Sequence, residues 1–191
     1  MSSNVNANQF RSMYEDLGIN NNDLGCIMLD VAALPVTSFI PGDPDEVASQ
    51  LFYSQHPNRQ WLQGAVGETT SHITLLYGIL TPEAVQHADT VLAGWTMPSH
   101  VELGEIDVFE SPFEDDKYSC IVARVNITPE LLDAHTRLEL LPHINTFPEW
   151  KAHVTLAYVL PEYRDAWVAA LHKNLPDTLQ VLGLNKGDQH D

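Results

Sequence analysis

A six-residue stretch occurs twice in this chain. His72-Ile73-Thr74-Leu75-Leu76-Tyr77 and His153-Val154-Thr155-Leu156-Ala157-Tyr158 keep His, Thr, Leu and Tyr in register. Their surroundings repeat as well. Strand-like runs rich in Val, Ile, Leu and Thr cover Cys26–Leu34, His72–Leu80, Val101–Phe109, Tyr118–Ile127, His153–Leu160 and Thr178–Leu184. Helix starts fall between them. Thr81-Pro82-Glu83 and Thr128-Pro129-Glu130 each offer a capping hydroxyl, a proline at the first helical position and an acid in the first turn. Asp43-Pro44-Asp45-Glu46 and Pro161-Glu162 supply two more. Apolar stripes follow each start: Val47 and Leu51; Ala84, Ala88, Val91 and Leu92; Leu131, Leu132, His135 and Leu138; and Tyr163, Ala166, Trp167, Ala170 and Leu171. Read in order, each half is strand, helix, His-strand, helix, strand, the second beginning near Tyr118. Each His-strand is followed by a helix, a proline (Pro98, Pro176) and a Leu-Gly strand (Leu103-Gly104, Leu182-Gly183). The expectation is a pseudo-twofold protein in which each half presents one His-x-Thr to a shared cleft. Residues 1–191 form one domain, with a short leading segment 1–23 and lobes interleaved within about 24–186. Gln55–Ser71 has no counterpart in the second half and is expected to be a long loop beside the first His-strand.

Strand side chains alternate faces. His72 and Thr74 therefore share one face, with Ile73, Leu75 and Tyr77 opposite; His153 and Thr155 share another, with Val154, Leu156 and Tyr158 opposite. Strict alternation thus assigns both tyrosines to the core. If the apolar sets pack under helices, two imidazoles and two hydroxyls face one pocket. An imidazole titrates near neutral pH, so one can take a proton while its twin gives one up. Hydroxyls can donate to oxygens that carry negative charge in a transition state. Such a set suits cleavage of a phosphodiester and covers both proton and charge movements without a metal or other cofactor. Neither His has a second His or a carboxylate at the usual close ligand spacings. Trp150 and Lys151, just ahead of the second motif, are candidates to stack on a base and to meet a phosphate, and Tyr14 is a candidate to close over a base.

Composition narrows the partners. Nine basic residues stand against 26 acidic ones, for a net charge of −17. Long phosphate backbones are held by clusters of Lys and Arg, and here the basic residues are scattered singly, so a small anionic ligand is expected rather than a long nucleic acid. No apolar run approaches the ~20 residues of a membrane span. The first residues lack the pattern of a signal peptide. Cys26 and Cys120 make neither a metal spacing nor a disulfide framework. A cytoplasmic, membrane-independent protein is expected.

The paired His-x-Thr motifs, together with Phe147-Pro148-Glu149-Trp150-Lys151-Ala152-His153-Val154-Thr155-Leu156-Ala157, resemble the 2H phosphoesterase superfamily. The resemblance spans roughly residues 24–186. It implies an α+β fold of two pseudo-symmetric lobes around a central cleft, each lobe with an antiparallel sheet and flanking helices. His72, Thr74, His153 and Thr155 would line the cleft and act on cyclic or internal nucleotide phosphodiesters. The segment Gln9-Phe10-Arg11-Ser12-Met13-Tyr14-Glu15, the compact length and the acidic balance look most like the phage anti-CBASS nucleases. That likeness implies hydrolysis of cyclic di- and trinucleotide immune signals, with a small cyclic nucleotide as partner. Alternatives are 2′,3′-cyclic phosphodiester hydrolysis or 2′–5′ ligation at RNA ends, a metal-dependent phosphoesterase, and an idle module that sequesters nucleotides.

Overall fold

The computed structural model describes residues 24–55, 70–111, 114–115, 117–144 and 149–187. The strands are β1 (Gly25–Ala32), β2 (Thr70–Ile79), β3 (His100–Glu110), β4 (Ser119–Val125), β5 (His153–Val159) and β6 (Thr178–Asn185). The helices are α1 (Pro44–Ser49), α2 (Phe52–Gln55), α3 (Pro82–Gln86), α4 (Ala88–Val91), α5 (Pro129–Leu138) and α6 (Arg164–Asn174). The expected caps form. Asp43 accepts from the Glu46 amide at 2.9 Å, Thr81 from Ala84 at 3.1 Å and Thr128 from Leu131 at 3.4 Å. The Pro161 start opens as a 3-10 turn, Pro161–Tyr163, that runs into α6.

All strand pairings are antiparallel, in the order β1-β2-β5-β4-β3-β6, and β6 closes back on β1. Two three-stranded lobes emerge, β6-β1-β2 and β5-β4-β3. Each takes its third strand from the other half of the chain. The fold is thus the expected α+β arrangement of two related lobes. The lobes join along two seams: the β2–β5 pair Ile73–Val154, and the starts of β3 and β6, where His100, Val101 and Glu102 face Gln180, Leu179 and Thr178. Burial alternates along β1: Ile27, Leu29 and Val31 point into the core and Cys26, Met28 and Asp30 away from it. Ile73, Leu75, Val154 and Leu156 enter the same core and are covered by α3, α5 and α6 through Ala84, Leu131, Leu138, Trp167 and Leu171. Two stripe assignments change. Leu132 and Ala166 face outward, and Ala134 takes the inward place on α5.

Past Ile73, β2 leaves β5 and gains a new neighbour. The Ile144 amide donates to the Gly78 carbonyl at 2.9 Å and Leu80 to Pro142 at 3.0 Å. Gly78 has φ of 86°, and a Cβ there would lie 2.5 Å from the Ile144 carbonyl oxygen. Gly78→Ala is therefore expected to destabilise the fold by about 1–3 kcal/mol, the usual cost of a strained non-glycine backbone. A melting temperature equal to that of the parent would show that this docking does not need glycine.

Candidate active site

β2 and β5 touch through one registered pair, Ile73 opposite Val154, both fully buried. Antiparallel register then sets His72 across from Thr155 and Thr74 across from His153. The side chains flanking the pair emerge on the face away from the core. The two imidazoles and two hydroxyls thus form a quartet about a pseudo-twofold through the Ile73–Val154 pair. His72 is exposed, while Thr74, His153 and Thr155 are half-buried.

The neighbouring rungs follow the same symmetry. On one side Asp30 faces His72 and Met28 faces Thr74. On the other Arg124 faces His153 and Val122 faces Thr155. A bulge then follows each motif at the equivalent place. Ile27 pairs with Leu76 and Met28 with Thr74, so Leu75 is an extra residue. Ile121 pairs with Ala157 and Val122 with Thr155, so Leu156 is its counterpart. A bulge shifts the alternation by one. Tyr77 therefore joins Cys26, and Tyr158 joins Cys120, on the face opposite the main core. Tyr77 is 39% exposed, which corrects its core assignment, whereas Tyr158 packs with Tyr118 on a smaller buried cluster of Phe52 and Leu160. Burial pushes the Cys120 thiol up to about 11, against hydrogen bonds with Tyr158 and Thr155. It also raises the Tyr158 phenol well above its ordinary value. Both stay neutral at physiological pH.

His153 is held firmly. Its Nδ1 lies 2.7 Å from the Lys151 carbonyl oxygen. A carbonyl only accepts, so Nδ1 carries the proton and Nε2 is left for the cleft. The Phe109 ring meets the imidazole edge-on, with centroids 5.4 Å apart. Burial holds the His72 pKa below the usual imidazole value; the Asp30 charge pulls it back up, and His153 pushes it further down. The two histidines are thus close enough to sense each other. Asn185 Nδ2 donates to both Asp30 oxygens, at 3.1 and 3.4 Å. Arg124 Nε pairs with Asp107 at 3.2 Å.

The remaining candidates fall in different places. Trp150 Nε1 donates to the Thr74 carbonyl at 3.0 Å, and its ring stacks on His135 at 4.2 Å. His135 Nδ1 donates to the Leu75 carbonyl at 2.6 Å. Together they tie down the bulge of β2 from the α5 side, so Trp150 braces Thr74. Lys151 is exposed, and its backbone orients His153. Tyr14 and nearly all of the Gln55–Ser71 stretch lie outside the described residues. Asp30, Asn185, Arg124 and Phe109 were not singled out from sequence. The signal for two of them was present: Cys26-Ile27 is followed by Asp30, and Cys120-Ile121, at the same distance, by Arg124. Among the described residues no group of three or more His, Cys, Asp or Glu is placed to hold a metal ion, and no helix is long and apolar enough to cross a membrane.

No protein-family model matches the chain, and no curated protein sequence matches it. Among solved structures it is similar to Usb1 from Kluyveromyces marxianus, with a TM-score of 0.52 and 13% identity over 86% of this chain and 93% of that one. The likeness is one of fold: an α+β arrangement shared over most of both chains.

Proposed function

We propose that this chain is a metal-independent phosphodiesterase of the 2H type, acting on ribonucleotide phosphodiesters at RNA ends. The observation that carries the reading is the quartet: two His-x-Thr pairs set across the Ile73–Val154 pair, on one face. One imidazole removes the proton from a ribose 2′-hydroxyl, whose oxygen attacks the adjacent phosphorus. The P–O5′ bond breaks, and the other imidazole protonates the departing O5′. The products are a 2′,3′-cyclic phosphate and a free 5′-hydroxyl. Thr74 and Thr155 donate to the non-bridging oxygens, where charge is concentrated. The nucleophile is already tethered beside the phosphorus, which supplies much of the entropic advantage. The same four groups serve hydrolysis of a 2′,3′-cyclic phosphate, with water as nucleophile.

The fold likeness to Usb1 weighs for RNA ends. A second reading, cleavage of 3′–5′ bonds in cyclic di- or trinucleotides that signal in anti-phage immunity, is favoured by the net charge of −17, which suits a small ligand better than a long polyanion. A panel in excess chelator separates them: oligoribonucleotides, 2′,3′-cyclic-phosphate-ended RNA, and cyclic di- and trinucleotides. Turnover of the first two, undiminished by chelator, is the expected result. Turnover of the cyclic compounds alone would move the assignment to the second reading, and activity lost with chelator and restored by metal would overturn the metal-independent mechanism. The pH profile should be bell-shaped, and with His72 as the base its lowered pKa would carry the acid limb below the usual imidazole range.

A further inference from the structure

The pseudo-twofold of the cleft repeats His, Thr, Tyr and Cys at matched places in the two lobes, yet it reverses charge at one. Asp30 of β1 stands opposite His72, and Arg124 of β4 stands opposite His153. Each charged group is held by its own partner. The Asn185 amide, a neutral donor, fixes the Asp30 carboxylate. Asp107 engages Arg124 through Nε, one of the five N–H donors of a guanidinium, and offsets part of its charge.

Taking the phosphodiesterase reading as the premise, we propose that Asp30 and Arg124 are positioning residues that fix the direction of proton transfer, making His72 the general base and His153 the general acid. During the reaction the base gains positive charge and the acid sheds it. A carboxylate on the adjacent rung stabilises an imidazolium forming on His72. A guanidinium on the adjacent rung favours departure of the proton from His153. With the roles exchanged, both charges would oppose the transfer. Desolvation lowers the His72 pKa and so favours the accepting form of that ring, while the Lys151 carbonyl fixes the orientation of the His153 ring through Nδ1. Of the other titratable groups on this face, Cys26, Cys120 and Tyr158 are pushed upward by burial and carry no charge near neutral pH. Among the described residues the charges registered beside the two rings are Asp30 and Arg124, with Asp107 acting through the latter.

The test compares two substrates with the same ribose and phosphate: a diribonucleoside monophosphate, whose alkoxide leaving group needs an acid, and a nucleoside 3′-(p-nitrophenyl phosphate), whose phenolate does not. His153→Ala should lose turnover on the dinucleotide, and its penalty should shrink by roughly tenfold or more on the activated ester, since acid catalysis is no longer needed. His72→Ala should be penalised about equally on both. Arg124→Gln should follow the His153 pattern, with Arg124→Lys recovering part of the loss because the charge returns. Asp30→Asn should lower turnover on both substrates and move the acid limb of the pH profile to lower pH, as the group that raises the His72 pKa is removed. The acid limb and the leaving-group dependence are readouts that a merely structural role would not move. A His72→Ala penalty that shrinks on the activated ester while that of His153→Ala does not would reverse the roles. An acid limb unmoved by Asp30→Asn would overturn the part given to Asp30, and an Arg124→Gln penalty equal on both substrates would overturn that of Arg124. Absence of turnover of both substrates by the unmodified chain would instead sink the premise, the reading of the chain as a phosphodiesterase of linear ribonucleotides.

Discussion

His153→Ala is expected to lower kcat on an RNA substrate by about 10²–10⁴-fold, the usual contribution of one positioned proton-transfer group, with little change in melting temperature. The structure separates the two effects. The imidazole is half-buried on the cleft face, touching the Phe109 edge and the Lys151 carbonyl. Core contacts of the same strand are made by Val154 and Leu156, which point the other way. His72→Ala should behave alike. Thr74→Ala and Thr155→Ala should each cost less, on the order of 10–10³-fold, because one donor to the phosphate is lost while both proton-transfer groups remain. Steady-state rates alongside thermal melts decide the matter. A His153 variant with near-parental kcat, or one whose loss tracks unfolding, would end the paired-histidine mechanism.

The second large effect concerns stability. Trp167 of α6 is fully buried, and its Nε1 donates to the Gln50 side-chain oxygen at 2.7 Å. Gln50 also accepts the Leu160 amide through its backbone, so the indole joins α6 to the end of α1 and to the exit of β5. Trp167→Ala should destabilise by about 3–5 kcal/mol from the lost contacts and the cavity, with the Gln50 oxygen unpaired in addition. For a chain of this size that is a fall of roughly 10 °C in Tm. Trp167→Phe, which keeps a ring but not the donor, should lose markedly less. Equal Tm values for Trp167→Ala and the parent would show that the indole does not anchor the core.

Much of this was legible in the sequence because it is local. The six strands lie within a few residues of the apolar runs, and Thr81, Thr128 and Asp43 cap as their side chains dictate. His72, Thr74, His153 and Thr155 fall on one face because two residues of extended chain restore the same orientation. Alternation failed one residue later. Nothing in Thr74-Leu75-Leu76 or Thr155-Leu156-Ala157 shows that two consecutive apolar side chains will both enter the core, yet each bulge does that and turns the tyrosine to the opposite face of the sheet. Asp30 and Arg124 stood in plain view as lone charges in apolar strands. Their meaning depends on which strand lies alongside, and pairing is not written in either strand. Trp150 illustrates the same limit: its neighbours, His135 and the Thr74 carbonyl, come from distant parts of the chain.

The exchange of β3 and β6 between the lobes bears on how such a chain can be divided and how it could have arisen. Cut between Ser111 and Tyr118, it yields two pieces, each with one His-x-Thr strand and each missing the strand that completes its own sheet. β1 and β4 would then present open edges, which invite pairing with other chains. Neither piece is a smaller enzyme, and activity is expected only when the two reassemble. A half-length ancestor would have met the same requirement with a second copy of itself, forming a twofold homodimer that donates one histidine from each subunit to a shared cleft. In that dimer every residue beside one imidazole is necessarily repeated beside the other. Only after the copies were fused could one position become aspartate and its twin arginine, giving a symmetric cleft a donor side and an acceptor side.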